Sequence, residues 1–214
     1  MLKYSITTMD IPITQTVDTL KYITFFHFPR LDAEYVLPGT STTQMSECEA
    51  LLGQAIPGDI WDLWSECGGE LGTLGIAMGL RMIPWRESIR IVLNNAAHFS
   101  DPEDHVDGTL LPLMHDDSIK CHVTVRLHTG EVVVVPETDS CPGHKHSPIG
   151  LEVSPGSFLQ RLVTSLVNNN GFYEVLPEGK YRVLVGNGSY IRHILAHKFT
   201  DDDVAEQLAA QTLT

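Results

Sequence analysis

Cys121, His122, Cys141, His144 and His146 put two thiols and three imidazoles into one short stretch, and those are the ligand types that zinc takes in tetrahedral sites. A second group is acidic. Asp59, Asp62 and Glu66 set three carboxylates beside the start of an expected helix, where they repel one another unless water solvates them or a cation bridges them. Both outcomes, a solvated acidic loop and a cation site, are open at this stage. Trp61 and Trp64 lie among these acids, and large rings in a loop often pack onto a partner. Motifs of catalysis are missing: there is no Gly-x-Ser-x-Gly elbow, no phosphate-cradling loop and no His-Glu-x-x-His. A Cys and a His could make a nucleophile and base, but nothing in the sequence orients such a pair. The expectation is a protein that is not an enzyme.

The elements that would position these groups are read from apolar spacing. Leu71, Leu74, Met78 and Met82 recur every three or four residues and predict one face of a helix, stopped by Pro84. Ile91-Val92-Leu93 has no alternation and reads as a strand buried on both faces, the unit of a parallel sheet. In such sheets the loops after the strands carry the site, which directs attention to Asn94 to His98, with His98 as a partner-binding candidate. Leu2 to Met9 reads as a first strand, Thr16 to Ile23 as a short helical stretch, and Tyr22 to Phe28 as a strand paired with Ala33 to Leu37. Thr40 to Gly53 reads as a second amphipathic helix with Ser and Thr caps, and Ile56 to Glu66 as a loop.

Farther on, Asp101 to Asp117 reads as an acidic surface loop around Leu110 to Met114. Cys121 to Leu127 and Glu131 to Pro136 flank His128-Thr129-Gly130 as a hairpin. With the turn centred on Thr129 and Gly130, Cys121 faces about Thr138, which brings Cys121 and His122 toward Cys141, His144 and His146. A zinc site, a Cys121 to Cys141 disulfide and unconnected surface histidines are the three readings of that cluster. Ser157 to Val167 predicts a helix ending at Asn168-Asn169-Asn170-Gly171, followed by strands at Phe172 to Leu176 and Tyr181 to Val185. Two further helical stretches are expected, at Ser189 to Lys198 and after Thr200.

Composition bounds the rest. At 214 residues, 43% hydrophobic and 19% charged, residues 1–214 suit one globular domain. No apolar run approaches the roughly 18 residues of a membrane span. The net charge of -13 argues against nucleic acid and suits a divalent cation or a basic partner surface. The N-terminus, Met1-Leu2-Lys3-Tyr4, lacks the apolar core of a secretion signal, which by itself points to the cytoplasm or to a fragment. Four cysteines are too few for a disulfide scaffold.

Gly68-Gly69-Glu70-Leu71-Gly72, then Ile83-Pro84-Trp85-Arg86, an apolar run, Ala97-His98-Phe99, Asp107-Gly108-Thr109-Leu110 and Lys120-Cys121-His122-Val123 resemble, in order and spacing, the von Willebrand factor A fold. More narrowly the chain is similar to the I-like domain of integrin β subunits. The resemblance implies an α/β fold, a doubly wound and mostly parallel sheet flanked by helices, here with an added β-hairpin. It also implies a weakened divalent-metal site at the strand ends, for Mg²⁺ or Ca²⁺, built from Asp10, Thr14, Asp59, Asp62, Glu66 and Asn95. Pro12 replaces the middle hydroxyl of the family's first metal loop, and Asn95 brings a carbonyl where the family has a carboxylate. The implied function is cell adhesion or protein-protein interaction with a protein ligand or partner subunit at the cell surface. A metal-free A-type scaffold in an intracellular complex and a small zinc-binding module are the alternatives.

Overall fold

A computed structural model of the chain describes residues 11–27, 37–70, 80–95, 99, 109–116, 120–137, 148–168, 173–175 and 181–183. Its helices are α1 (Ile13–His27), α2 (Thr42–Leu52), α3 (Gly58–Glu66), α4 (Trp85–Asn94) and α5 (Pro155–Asn168). Its strands are β1 (Leu80–Met82), β2 (Leu110–Asp116), β3 (Cys121–Arg126), β4 (Glu131–Pro136), β5 (Ile149–Gly150), β6 (Tyr173–Val175) and β7 (Tyr181–Val183).

The expected parallel, doubly wound sheet is corrected. Five strands lie in the order β1-β2-β3-β4-β5, each antiparallel to its neighbour, so the sheet is built in chain order. β6 and β7 form a separate antiparallel pair. The decisive difference is at Ile91-Val92-Leu93, which lies in α4 and not in a strand. Trp85, Ser88, Ile89 and Val92 recur at helical spacing and are buried, while Leu93 is exposed. Pro84 also reverses its expected role, because it stands at the N-cap of α4, where its fixed φ suits the first turn. Leu110 to Met114, expected in a loop, is most of β2, and that strand is buried along its whole length.

Other expectations change in the same way. Tyr22 to Phe28 was expected as a strand, but α1 continues through His27, with Ile13, Val17 and Leu20 buried on one stripe. Ile56 to Glu66 is not a loop: α3 runs through most of it and buries Ile60, Leu63 and Trp64. The helix at 42–52 follows the expectation: Ser41 caps it in a reciprocal capping box with Gln44, and Gly53 ends it in the left-handed region. The hairpin also forms, but Cys121 pairs with Pro136 and not with a residue near Thr138.

Polar contacts fasten both edges of the sheet. Glu70 lies beside β1: its backbone N–H donates to the Met82 carbonyl at 2.8 Å, and its carboxylate accepts from the Met82 N–H at 2.6 Å. At the other edge Glu131 accepts from Arg126 at 2.6 Å and from the Glu152 N–H at 3.0 Å, which ties β5 to the hairpin. The segment 37–40 crosses 64–69 closely, with Leu37 N–H donating to Gly69 at 2.8 Å and Thr40 N–H to Trp64 at 2.7 Å. Gly69 has φ 121°, and a Cβ there would stand 2.4 Å from the Pro84 Cα. Around this crossing α1 packs on α3 and α5, α2 on α4, and α4 on β2.

Candidate metal centre

In an antiparallel pair, directly opposite residues share a face of the sheet. His115 of β2 and His122 of β3 are such partners, and His122 in turn faces Val135 of β4. Glu137 stands two residues beyond Val135, so the pleat returns it to the same face. It is held there by its N–H, which donates to the Lys120 carbonyl at 2.9 Å. One ligand atom each from His115, His122 and Glu137 therefore lies within 4.8 Å of the other two.

The details of that group follow from its neighbours. His115 Nε2 and Glu137 Oε1 are 2.7 Å apart. The His115 and His122 rings are tilted at 52° with centroids 4.8 Å apart. Buried Phe99 sets its ring at 85° to His122, with centroids 5.5 Å apart. His115 is 8% exposed, whereas the side chain of Glu137 is 34% exposed. The group thus spans from the interior to solvent. Two imidazoles and a carboxylate in this arrangement could hold a metal ion.

The residues expected from sequence are distributed differently. Thr14 is exposed in the first turn of α1. Asp59 points its carboxylate at α5, accepting from the Gly156 N–H at 3.1 Å, so it caps a helix. Asp62 is exposed on α3, and the carbonyl of Glu66 at the end of that helix accepts from Lys21 Nζ at 2.9 Å. These carboxylates are not among the ligand groups that could hold an ion among the described residues. Asn95 finishes α4, its N–H and its side-chain amide both donating to the Ile91 carbonyl.

Trp64 is completely buried in the core, which corrects its reading as a ring offered to a partner. Trp61 is half-buried and donates from Nε1 to Glu49 at 3.3 Å. Cys121 carries a free thiol, so the disulfide reading is set aside. It lies on the opposite face from His122, and burial, then the charges of Asp116 and Glu137, raise its pKa far above the ordinary thiol value. Its place on the other face of the sheet sets the thiol apart from this group. Asp10, His98, Cys141, His144 and His146 lie outside the described residues.

Sequence reasoning found His122 but missed His115 and Glu137. The signal lay in strand pairing: once β2 is a strand, His115 and His122 are cross-strand partners, and Glu137 is the next outward position after β4. Reading Asp101 to Asp117 as a surface loop hid His115. No protein-family model matches the sequence, and no curated protein matches it.

Proposed function

We propose that the protein is a divalent-metal-binding domain whose ion is held by His115, His122 and Glu137. The observation that carries this reading is the gathering of three ligand atoms within 4.8 Å. Two ligands at about 2.0–2.2 Å from a tetrahedral zinc are roughly 3.4 Å apart. The His115 to Glu137 separation of 2.7 Å therefore needs to open by less than an ångström. Imidazole nitrogens favour zinc and the later transition metals, whereas Mg²⁺ and Ca²⁺ prefer an all-oxygen shell. Zinc is accordingly the ion assigned to this site. Isothermal titration of the metal-stripped protein with Zn²⁺ and Mg²⁺ tests the assignment. One equivalent of zinc, lost in His122→Ala, is the expected result; no zinc binding by the folded protein rejects it.

A second reading, an interaction domain for a basic protein partner, is favoured by the charge distribution. Residues 37–70 contain Glu47, Glu49, Asp59, Asp62, Glu66 and Glu70 and no Lys, Arg or His. Glu47 and Asp62 are exposed on α2 and α3. Such a face steers basic surfaces toward it, with an association rate that falls as salt rises. Reversing both charges in Glu47→Lys with Asp62→Lys should abolish salt-sensitive retention of a lysine-rich test protein. Retention unchanged by the reversal ends this reading.

A further inference from the structure

Resting on the reading of 37–70 as a face for basic surfaces, we propose that the basic partner is a second copy of this chain, whose α4 lies across α2 in a two-fold symmetric dimer. α4 carries the cations that 37–70 lacks. Its buried stripe is Trp85, Ser88, Ile89 and Val92, and its exposed stripe is Arg86, Arg90 and Leu93, spaced by four and three residues. Arg86 stacks over the Trp85 ring at 4.9 Å, and neither of these arginines has an ion pair among the described residues. Arg81 and Arg126, by contrast, are each held by a carboxylate of their own chain, Glu87 and Glu131.

α2 has the matching stripe. Met45 and Cys48 are buried, while Glu47, Ala50 and Leu51 are exposed. Leu51 is 57% and Leu93 54% exposed, so each helix still has hydrocarbon to cover beside its charges. α2 packs on α4, and the Arg86 charge is near enough to α2 to act on the Cys48 thiol. An acidic and a basic stripe are therefore neighbours on one surface. Neighbouring stripes of opposite charge are self-complementary: a half turn about an axis between the two helices sets α4 of one copy on α2 of the other, and the same operation sets α2 on α4. Glu47 meets the arginines of the partner's α4 twice over, the exposed leucines supply the apolar contact, and the interface closes at two copies. A different basic protein would cover the acidic stripe alone, whereas a second copy covers both. Repulsion between two chains of net charge -13 is screened beyond about 8 Å at physiological salt, while pairs in contact keep their attraction.

Sedimentation velocity of the full chain at physiological salt, up to about 1 mM, reads the association directly. The expected result is a monomer-dimer equilibrium that Glu47→Arg or Arg90→Glu alone weakens roughly 10- to 100-fold, because each reversal turns both symmetric contacts from attraction to repulsion. Mixing the two variants, or combining both changes in one chain, restores the dimer, since every contact then pairs opposite charges again. Both positions are exposed, and restoration by the second change excludes a folding defect. A chain that stays monomeric to that concentration overturns the dimer, and salt-sensitive retention of the lysine-rich protein then leaves the basic-partner reading in place. A monomeric chain that also fails to retain the lysine-rich protein overturns both. A dimer that each reversal leaves intact, or that the combination does not restore, overturns the pairing of α2 with α4.

Discussion

His115 and His122 face one another across β2 and β3, their ring centroids 4.8 Å apart, with Glu137 completing the group from beyond β4. On the proposed metal-binding reading, an ion held between them favours the native sheet over the unfolded chain and so stabilises the fold. At a free zinc concentration of 100 times the dissociation constant the gain is about 2.7 kcal/mol. For a chain of this size that raises the melting temperature by roughly 5–10 °C. Thermal melts of wild type and of His122→Ala, with and without zinc, check this: only the wild type should shift.

Glu137→Gln separates the metal role from the hydrogen bond to His115. The amide can still hydrogen-bond His115, so the metal-free protein should lose about 1 kcal/mol or less. Zinc affinity should fall on the order of 100-fold, because the ligand charge is gone. Urea unfolding of the metal-free forms and zinc titration of the folded forms measure the two effects independently.

Gly69→Ala tests the crossing of 37–40 with 64–69. Its φ of 121° is unfavourable to any L side chain, and the new methyl would stand 2.4 Å from the Pro84 Cα. The expected cost is roughly 3 kcal/mol, combining backbone strain with a steric clash that backbone atoms cannot relieve cheaply. The midpoint of urea unfolding should fall, with the zinc affinity of the remaining native protein unchanged.

Cys67 predicts an alkaline limit to stability. Burial first, and then the nearby Glu70 charge, push its thiol from 9.0 to about 11, against a lowering by a backbone hydrogen bond at Gly69. Between those values the folded chain keeps a proton that the unfolded chain has released, so stability falls as pH rises above 9.0. The slope from this group is about 1.4 kcal/mol per pH unit. Buried Cys48, raised to about 11 chiefly by burial, acts in the same direction. Urea midpoints measured from pH 8 to 11 should decline for wild type and decline less steeply in Cys67→Ala, where the other raised thiols remain.

What was legible in the sequence was local. The Ser and Thr residues that begin the stretch Thr40 to Gly53 announced the start of α2, because capping chemistry depends on neighbours in the chain. The alternation of Val123, Val125 and Leu127 announced the hairpin. What was not legible depended on partners far away in sequence. Ile91-Val92-Leu93 satisfies a buried strand and one turn of helix equally well, and the helical stripe emerges only when Trp85 and Ser88 are counted with it. Once that run was read as a strand, Pro84 became a stop and the sheet became parallel. His115 could not be matched to His122 while the chain before it was read as loop. The acidic residues of α3 attracted a metal by type, yet Asp59 spends its carboxylate on the start of α5.

The double contact between Glu70 and Met82 has a consequence beyond the folding of one chain. A border strand with idle amide and carbonyl groups invites a foreign strand to zip onto it, the route by which many antiparallel sheets aggregate. Here both outward groups of Met82 are occupied by a single residue of the same molecule, and the second occupant is a carboxylate that repels a like one. At Met82 the β1 border is therefore closed to an intruding strand.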